Sequence, residues 1–243
     1  METLKKFLII AILLFSVNIV LAFAEDEFKV IIDAGHGGKD GGTSCLGYKE
    51  KDITLEVVLL LQKVILEKEQ TLKSLLTRSE DKFVSLEDRI VFANQSQGNL
   101  FLSLHVNSSQ SKKDNGFEIY YNVLSSDEAD KENNKENTPL FILWDLAQNE
   151  FLKEGAEFAD KLQDSIETMF NKGEDKKFSM RNRGIKQSSF ILLRGIRMPA
   201  VLVEMGFISN VSDEENFKQK EFKEKYVEAI FNAILSYKQK KIQ

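Results

Sequence analysis

The sequence predicts an α/β fold: one domain with a central, mostly parallel or mixed sheet of about six strands flanked by helices. Three observations predict it. Short β-branched runs alternate with longer stretches of helical periodicity. A glycine-rich loop separates the first such run from the first helical stretch. The chain, at 243 residues, is long enough for one sizeable core.

Each element has its own signal. "FKVIIDAG" is a β-branched run ended by glycine, hence a buried strand. From Asp52, Ile53, Val57, Leu60, Leu61 and Val64 fall at three- and four-residue spacings, one face of an amphipathic helix. "KSLLTR" reads as a second strand. Ser85 and Asp88 take capping-box form ahead of the helical "RIVFANQSQ". "NLFLSLHV" and "GFEIYYN" read as strands three and four, and "SFILLRGI" and "AVLVEMGF" as two later ones. Thr138-Pro139 has the form of an N-cap and first helical position. The helix behind it, roughly 139–171, carries Phe158, Leu162, Ile166 and Met169 on one stripe. A charged amphipathic helix from about Asp213 to Lys238 closes the chain. One segment, Ser125 to Thr138, lacks apolar periodicity, is dense in charge and reads as a solvated surface loop.

The amino terminus stands apart from this core. Lys5 and Lys6 precede an apolar run from Phe7, and Ala22-Phe23-Ala24 precedes acidic residues. That order reads as a secretory signal peptide over residues 1–24, cut after Ala24; an uncleaved anchor is the alternative, since the run approaches bilayer-spanning length. Export to a periplasm or cell envelope follows. Removing residues 1–24, with two lysines and one glutamate, leaves 31 basic and 37 acidic residues. No basic footprint for nucleic acid is present. Cys45 is the only cysteine, which excludes an internal disulfide and a cysteine-based zinc knuckle. A metal here must use histidine and carboxylate.

Only two histidines occur, His36 in "KVIIDAGHGGKDGG" and His105 in "FLSLHVNSS". Each follows or ends an apolar strand, where α/β proteins assemble their sites. Singly, each reads as a structural residue; together they point to one site. A hydrolytic zinc takes three protein ligands and keeps a fourth position for water. Glu50, 14 residues after His36, is the leading carboxylate, although a helix N-terminal acid favoured by the macrodipole explains it equally well. Amide hydrolysis also needs a proton carrier outside the ligand set. Glu204 ends an apolar run in "PAVLVEMGFISN", where a lone charge is costly to bury without a partner; a nearby metal centre would offset that cost, and a buried ion pair is the alternative. A phosphate cradle is excluded by the glycine spacing, since position 40 is Asp40. Asp33 and Asp40 read either as partners that orient the histidine loop or as turn residues.

"IIDAGHGGKDGG", "YKEKDITLEVV", "EDRIVFAN" with "LFLSLHVNSS", and "PAVLVEMGFISN" resemble, in order and spacing, the zinc-dependent N-acetylmuramoyl-L-alanine amidases of bacterial cell walls. The resemblance covers roughly Phe28 to Lys238. It implies one Zn²⁺ per chain held by His36, Glu50 and His105, with Glu204 as the catalytic base. It implies peptidoglycan as substrate, cleaved at the amide between N-acetylmuramic acid and L-alanine, in wall remodelling or daughter-cell separation. Some members carry an inserted helix that covers the zinc until an activator protein moves it; residues 125–138 and the helix behind them are long enough for such a regulatory insert. Arg183 and Asn210 fall in stretches similar to the family's substrate-facing segments, and a solvated surface explains both equally. Two other readings stay open on the residues: a wall-binding module without chemistry, and a zinc peptidase on stem peptides. No repeat array that would bind the wall is visible.

Overall fold

The computed structural model describes residues 27–45, 47–123, 139–172 and 177–242. The signal segment, Thr138 and the charged segment 125–138 lie outside the described residues. Strand β1 (Phe28–Ala34) is followed by a two-stranded hairpin, β2 (Ser44–Cys45) and β3 (Tyr48–Lys49), which leads directly into α1 (Glu50–Lys68). Then come β4 (Leu72–Leu76), α2 (Leu86–Ser96), β5 (Leu100–Asn107) and β6 (Phe117–Asn122). Helix α3 (Pro139–Glu167) runs into a π-helical turn, Thr168–Lys172. The remainder is β7 (Asn182–Ser188), α4 (Ile191–Gly195), β8 (Ala200–Phe207), α5 (Val211–Lys218) and α6 (Lys220–Ile242).

Six strands form one mixed sheet in the order β4-β1-β5-β8-β6-β7. The first four run parallel, while β6 is antiparallel to β8 and parallel to β7. The expected sheet of about six strands flanked by helices is therefore present. Val30, Ile31 and Ile32 of β1 are all fully buried, because both faces of the sheet are covered. Val30, Ile32, Leu102 and Leu104 share a large cluster with Val57, Leu61, Phe158 and Ile230. Ile31 and Phe101 turn to the other face and pack with Ala93, Leu192 and Leu193. Along β5, His105 therefore projects on the side of Phe101 and Ser103.

Two expectations at element level are corrected. "SFILLRGI" is not a strand: Ile191–Gly195 is a single helical turn that buries Leu192 and Leu193 and exposes Ile191. A four-residue apolar run does not distinguish strand from helix. The sixth strand is instead β7, "NRGIKQS", whose polar composition is that of a sheet edge. The closing helix is also interrupted, since Gln219 is extended (φ −87°, ψ 123°). Phe217 and Phe222 are both buried and stack edge to face at 5.4 Å. Five residues apart on one continuous helix, they would point about 140° apart. The break turns both rings inward.

Candidate active site

The centre is assembled from the carboxyl ends of β1 and β5 and the start of α1. Beyond β1 the chain turns through Gly35 and His36, whose φ of +61° lies in the left-handed region. That conformation is costly for a residue with a Cβ and is held from behind. Buried Arg89 donates to the carbonyls of Ala34 (2.7 Å) and His36 (2.7 Å). Buried Arg78 donates to the carbonyls of Ala34 (2.9 Å), Gly35 (2.8 Å) and Lys51 (2.8 Å). Asp33, wholly buried, pairs with Arg89 and accepts hydrogen bonds from Thr77 (2.6 Å) and Ser103 (2.7 Å). Burial works against its charge, but Arg89 and the two hydroxyls hold its carboxyl below the ordinary range.

The β2–β3 hairpin folds the chain back so that Glu50, the first residue of α1, lies against both histidines. Glu50 Oε2 is 3.1 Å from His36 Nε2, and Oε1 is 2.9 Å from His105 Nδ1. The two imidazoles meet edge to face with centroids 5.0 Å apart. Thr43 N (2.9 Å) and Oγ1 (3.1 Å) and Val106 N (3.1 Å) also donate to Glu50. Its carboxyl is buried, yet His105 and His36 pull its pKa well below the usual carboxylate range. Asp40 Oδ2 lies 2.8 Å from His36 Nδ1, so the ring is oriented from its far side. Burial opposes a charge on His36, but Glu50 and Asp40 outweigh it and raise the pKa to about 9.

One ligand atom from each of His36, Glu50 and His105 lies within 4.8 Å of the others, a grouping that could hold a metal ion. Two imidazoles and one carboxylate suit zinc. The glycines shape this cradle. A Cβ on Gly35 would come to 2.5 Å from the His105 ring, and one on Gly42 to 2.5 Å from Glu50 Oε2 and 2.7 Å from His36.

Glu204 on β8 is the register partner of His105 on β5. Its Oε2 is buried and makes no hydrogen bond among the described residues. Burial is the main cause that raises its pKa to about 7, aided by the charges of Glu50 and Glu118 against the histidines. A carboxyl poised near neutrality and lacking a partner can accept and return a proton.

A family model described as N-acetylmuramoyl-L-alanine amidase matches residues 30–236. The chain belongs to this amidase family. The uncharacterized protein YqiI of Bacillus subtilis is 33% identical over 208 residues, covering 86% of this chain and 84% of that one. The N-acetylmuramoyl-L-alanine amidase LytC of the same organism is 30% identical over 208 residues, and the matched region spans 86% of this chain but only 35% of LytC. The solved structure of N-acetylmuramoyl-L-alanine amidase AmiC2 of Nostoc punctiforme shares the fold with TM-score 0.69 at 27% identity, covering 88% of this chain and 98% of that one.

Within this amidase, the structure brings His36, Glu50, His105 and Glu204 to one place. Asp40 touches His36 directly, whereas Asp33 acts through Arg89. Asn210 is a helix cap: its Oδ1 accepts from Ser212 N (3.0 Å) and Asp213 N (3.2 Å), and its amide donates to Lys112 O (2.8 Å). Arg183 donates from Nε to Glu118 Oε1 (2.6 Å). Cys45 is half-buried against the core. Sequence reasoning passed over Arg78 and Arg89, which hold the loop, and Glu118, a buried acid beside Glu204. The arginines end or follow unremarkable runs, "LLTR" and "EDR". For Glu118, the available signal was a lone acid within the apolar "GFEIYY".

Proposed function

We propose that this amidase hydrolyses the amide between N-acetylmuramic acid and L-alanine in peptidoglycan, with one zinc ion held by His36, Glu50 and His105 and with Glu204 as proton carrier. The observation that carries the reading is the buried, unpartnered Glu204 oxygen next to a three-donor cluster of zinc-like composition. A zinc ion at these donors supplies a Lewis acid for the amide carbonyl and lowers the pKa of water to about 7. Glu204 takes the proton of the attacking water and delivers it to the departing alanine nitrogen. Glu50 stays ionised throughout, because two imidazoles and three donors from Thr43 and Val106 stabilise its charge. Asp40 keeps His36 turned toward Glu50.

The site acts on a wall polymer outside the cytoplasm, so the reading includes export, with residues 1–24 as a cleaved signal peptide and 25–243 as the catalytic domain. Lys5, Lys6, the apolar run and Ala22-Phe23-Ala24 support it. The decisive experiment is mass spectrometry of muropeptides from purified peptidoglycan treated with the protein, with and without zinc, beside Glu204→Gln. Zinc-dependent release of stem peptides beginning with L-alanine is expected. The substitution retains zinc and lowers turnover by about 10²- to 10⁴-fold. Fragments that leave the bond from muramic acid to L-alanine intact would assign a peptidase instead.

A further inference from the structure

His105, Glu204 and Glu118 stand in one row across three neighbouring strands: His105 pairs with Glu204, and Glu204 with Glu118. Ladder partners share a face of the sheet, so the three side chains project on the same side. On the fourth strand the register slips between Phe117 and Ile119, leaving Arg183 and Gly184 opposite the single residue Glu118. Gly184 has φ +88°, in the left-handed region that favours glycine. The bulge lets Arg183 meet Glu118 at 2.6 Å. Lys186 on the same strand pairs in register with Tyr120, and its Nζ lies 2.9 Å from Glu118 Oε1. Glu118 also accepts from Tyr120 OH (2.6 Å) and Asn107 Nδ2 (3.3 Å).

The row gives the substrate a direction. Glu204 returns its proton to the leaving nitrogen, so that nitrogen must lie on the Glu204 side of the metal donors. Beyond Glu204 on that side are β6 and β7. On the opposite side lies a cavity of about 310 Å³ bordered by Asp33, His36, Phe83, Leu86, His105 and Leu192. The acyl half of the substrate then belongs to this cavity, and the peptide half crosses the sheet toward β7.

Two inter-strand spacings, across β6, separate Glu204 from β7, a span of about 10 Å. An extended peptide covers that in about three residues. At that distance the cluster offers cationic capacity. Glu118 takes one of the three Lys186 donors, and the Lys186 side chain is 40% exposed, with Nζ 5.6 Å above the Tyr120 ring. Arg183 has a second, longer contact at 3.6 Å to Asp114. Arg183 is shared between Glu118 and Asp114, whereas among the described residues Lys186 faces Glu118 alone, so it is the exposed side of Lys186 that is suited to a further anion.

We propose that Lys186, with Arg183 behind it, forms a subsite for a carboxylate of the stem peptide, two to three residues beyond the scissile amide. The proposal rests on the amidase reading above. Its test is equilibrium binding to the full, zinc-loaded chain of two synthetic stem tripeptides that begin with L-alanine, one with free carboxylates at its second and third residues and one amidated at both. The acid is expected to bind about tenfold more tightly than the amide. Lys186→Met reduces the acid to the affinity of the amide and leaves the amide unchanged, while Lys186→Arg keeps the preference. Equal binding of both peptides to the wild-type chain, no binding of either, or a Lys186→Met variant that weakens both alike overturns the subsite. Muropeptide release is measured separately: its absence, alongside a Lys186-dependent preference for the acid, sinks the amidase reading and leaves the subsite standing.

Discussion

Glu204 stands beside His105 in the parallel β5–β8 ladder and across from Glu118 in the antiparallel β8–β6 ladder. A carboxyl set between an imidazole and a second carboxylate, with one oxygen buried and unpartnered, is held near the protonation boundary by burial and by its acidic neighbours. Such a position suits the proton-carrying role proposed for Glu204.

That position has a cost in stability when no metal is bound. Glu204 titrates near its ordinary 4.5 in the unfolded chain and at about 7 when folded. Between those values the folded state holds a proton that the unfolded state has released, so this group's contribution falls as pH rises. Urea unfolding of the zinc-free protein at a series of pH values checks this. Glu204→Gln is expected to flatten the curve through that window, and an unchanged slope would count against the assignment.

Zinc affinity carries the opposite pH dependence through His36. With its pKa raised from 6.5 to about 9 by Glu50 and Asp40 against the cost of burial, His36 is protonated in the metal-free centre at neutral pH. A metal must displace that proton, so affinity climbs with pH until about 9 and then levels. Asp40→Asn removes one source of the rise and moves the plateau to lower pH. Chelator-buffered zinc titrations of both proteins measure the two plateaus.

Gly35→Ala tests the cradle. The added methyl would sit 2.5 Å from the His105 ring, closer than any real contact, so the ring or the loop must move. Zinc affinity is expected to fall by about 10- to 100-fold, the range seen when the support of a metal ligand is disturbed. Retention of full affinity would show that the ring has room the structure does not indicate.

Arg89→Ala removes the partner of buried Asp33 and the donors to Ala34 and His36. Breaking a buried ion pair from one side costs about 3–5 kcal/mol. A lower Tm is expected in the zinc-free protein. If the variant folds, weaker zinc binding is expected as well, because His36 loses the brace for its left-handed backbone. Calorimetry with and without zinc separates the two effects.

Much of the architecture was legible because burial imposes period and composition. Strand β1 reads as continuous Val-Ile-Ile, α1 shows its core stripe, and Ser85 caps α2 by accepting from Asp88 N at 3.1 Å. Strand β7 was not legible, because an edge strand of Asn, Arg, Lys and Gln has little apolar signal. The turn 191–195 was misread because a short apolar run fits either structure. The break at Gln219 carries no glycine or proline; the demand that Phe217 and Phe222 both face inward sets it.

By itself the sequence determined which residue types could hold a metal. Two histidines, each at the end of an apolar strand, and one cysteine leave only histidine and carboxylate. Spacing left Glu50 open between ligand and helix acid, since 14 residues of chain carry no direction, and only the resemblance to the amidases implied a ligand. Tertiary structure decided its position: the β2–β3 hairpin returns the chain to β1, and Glu50 becomes both the first residue of α1 and the contact of both imidazoles. It also decided the surroundings. The Arg78 and Arg89 brace, the Glu204–Glu118 adjacency and the bulge that turns Arg183 inward depend on strand order and register, which long-range packing fixes and local sequence cannot encode.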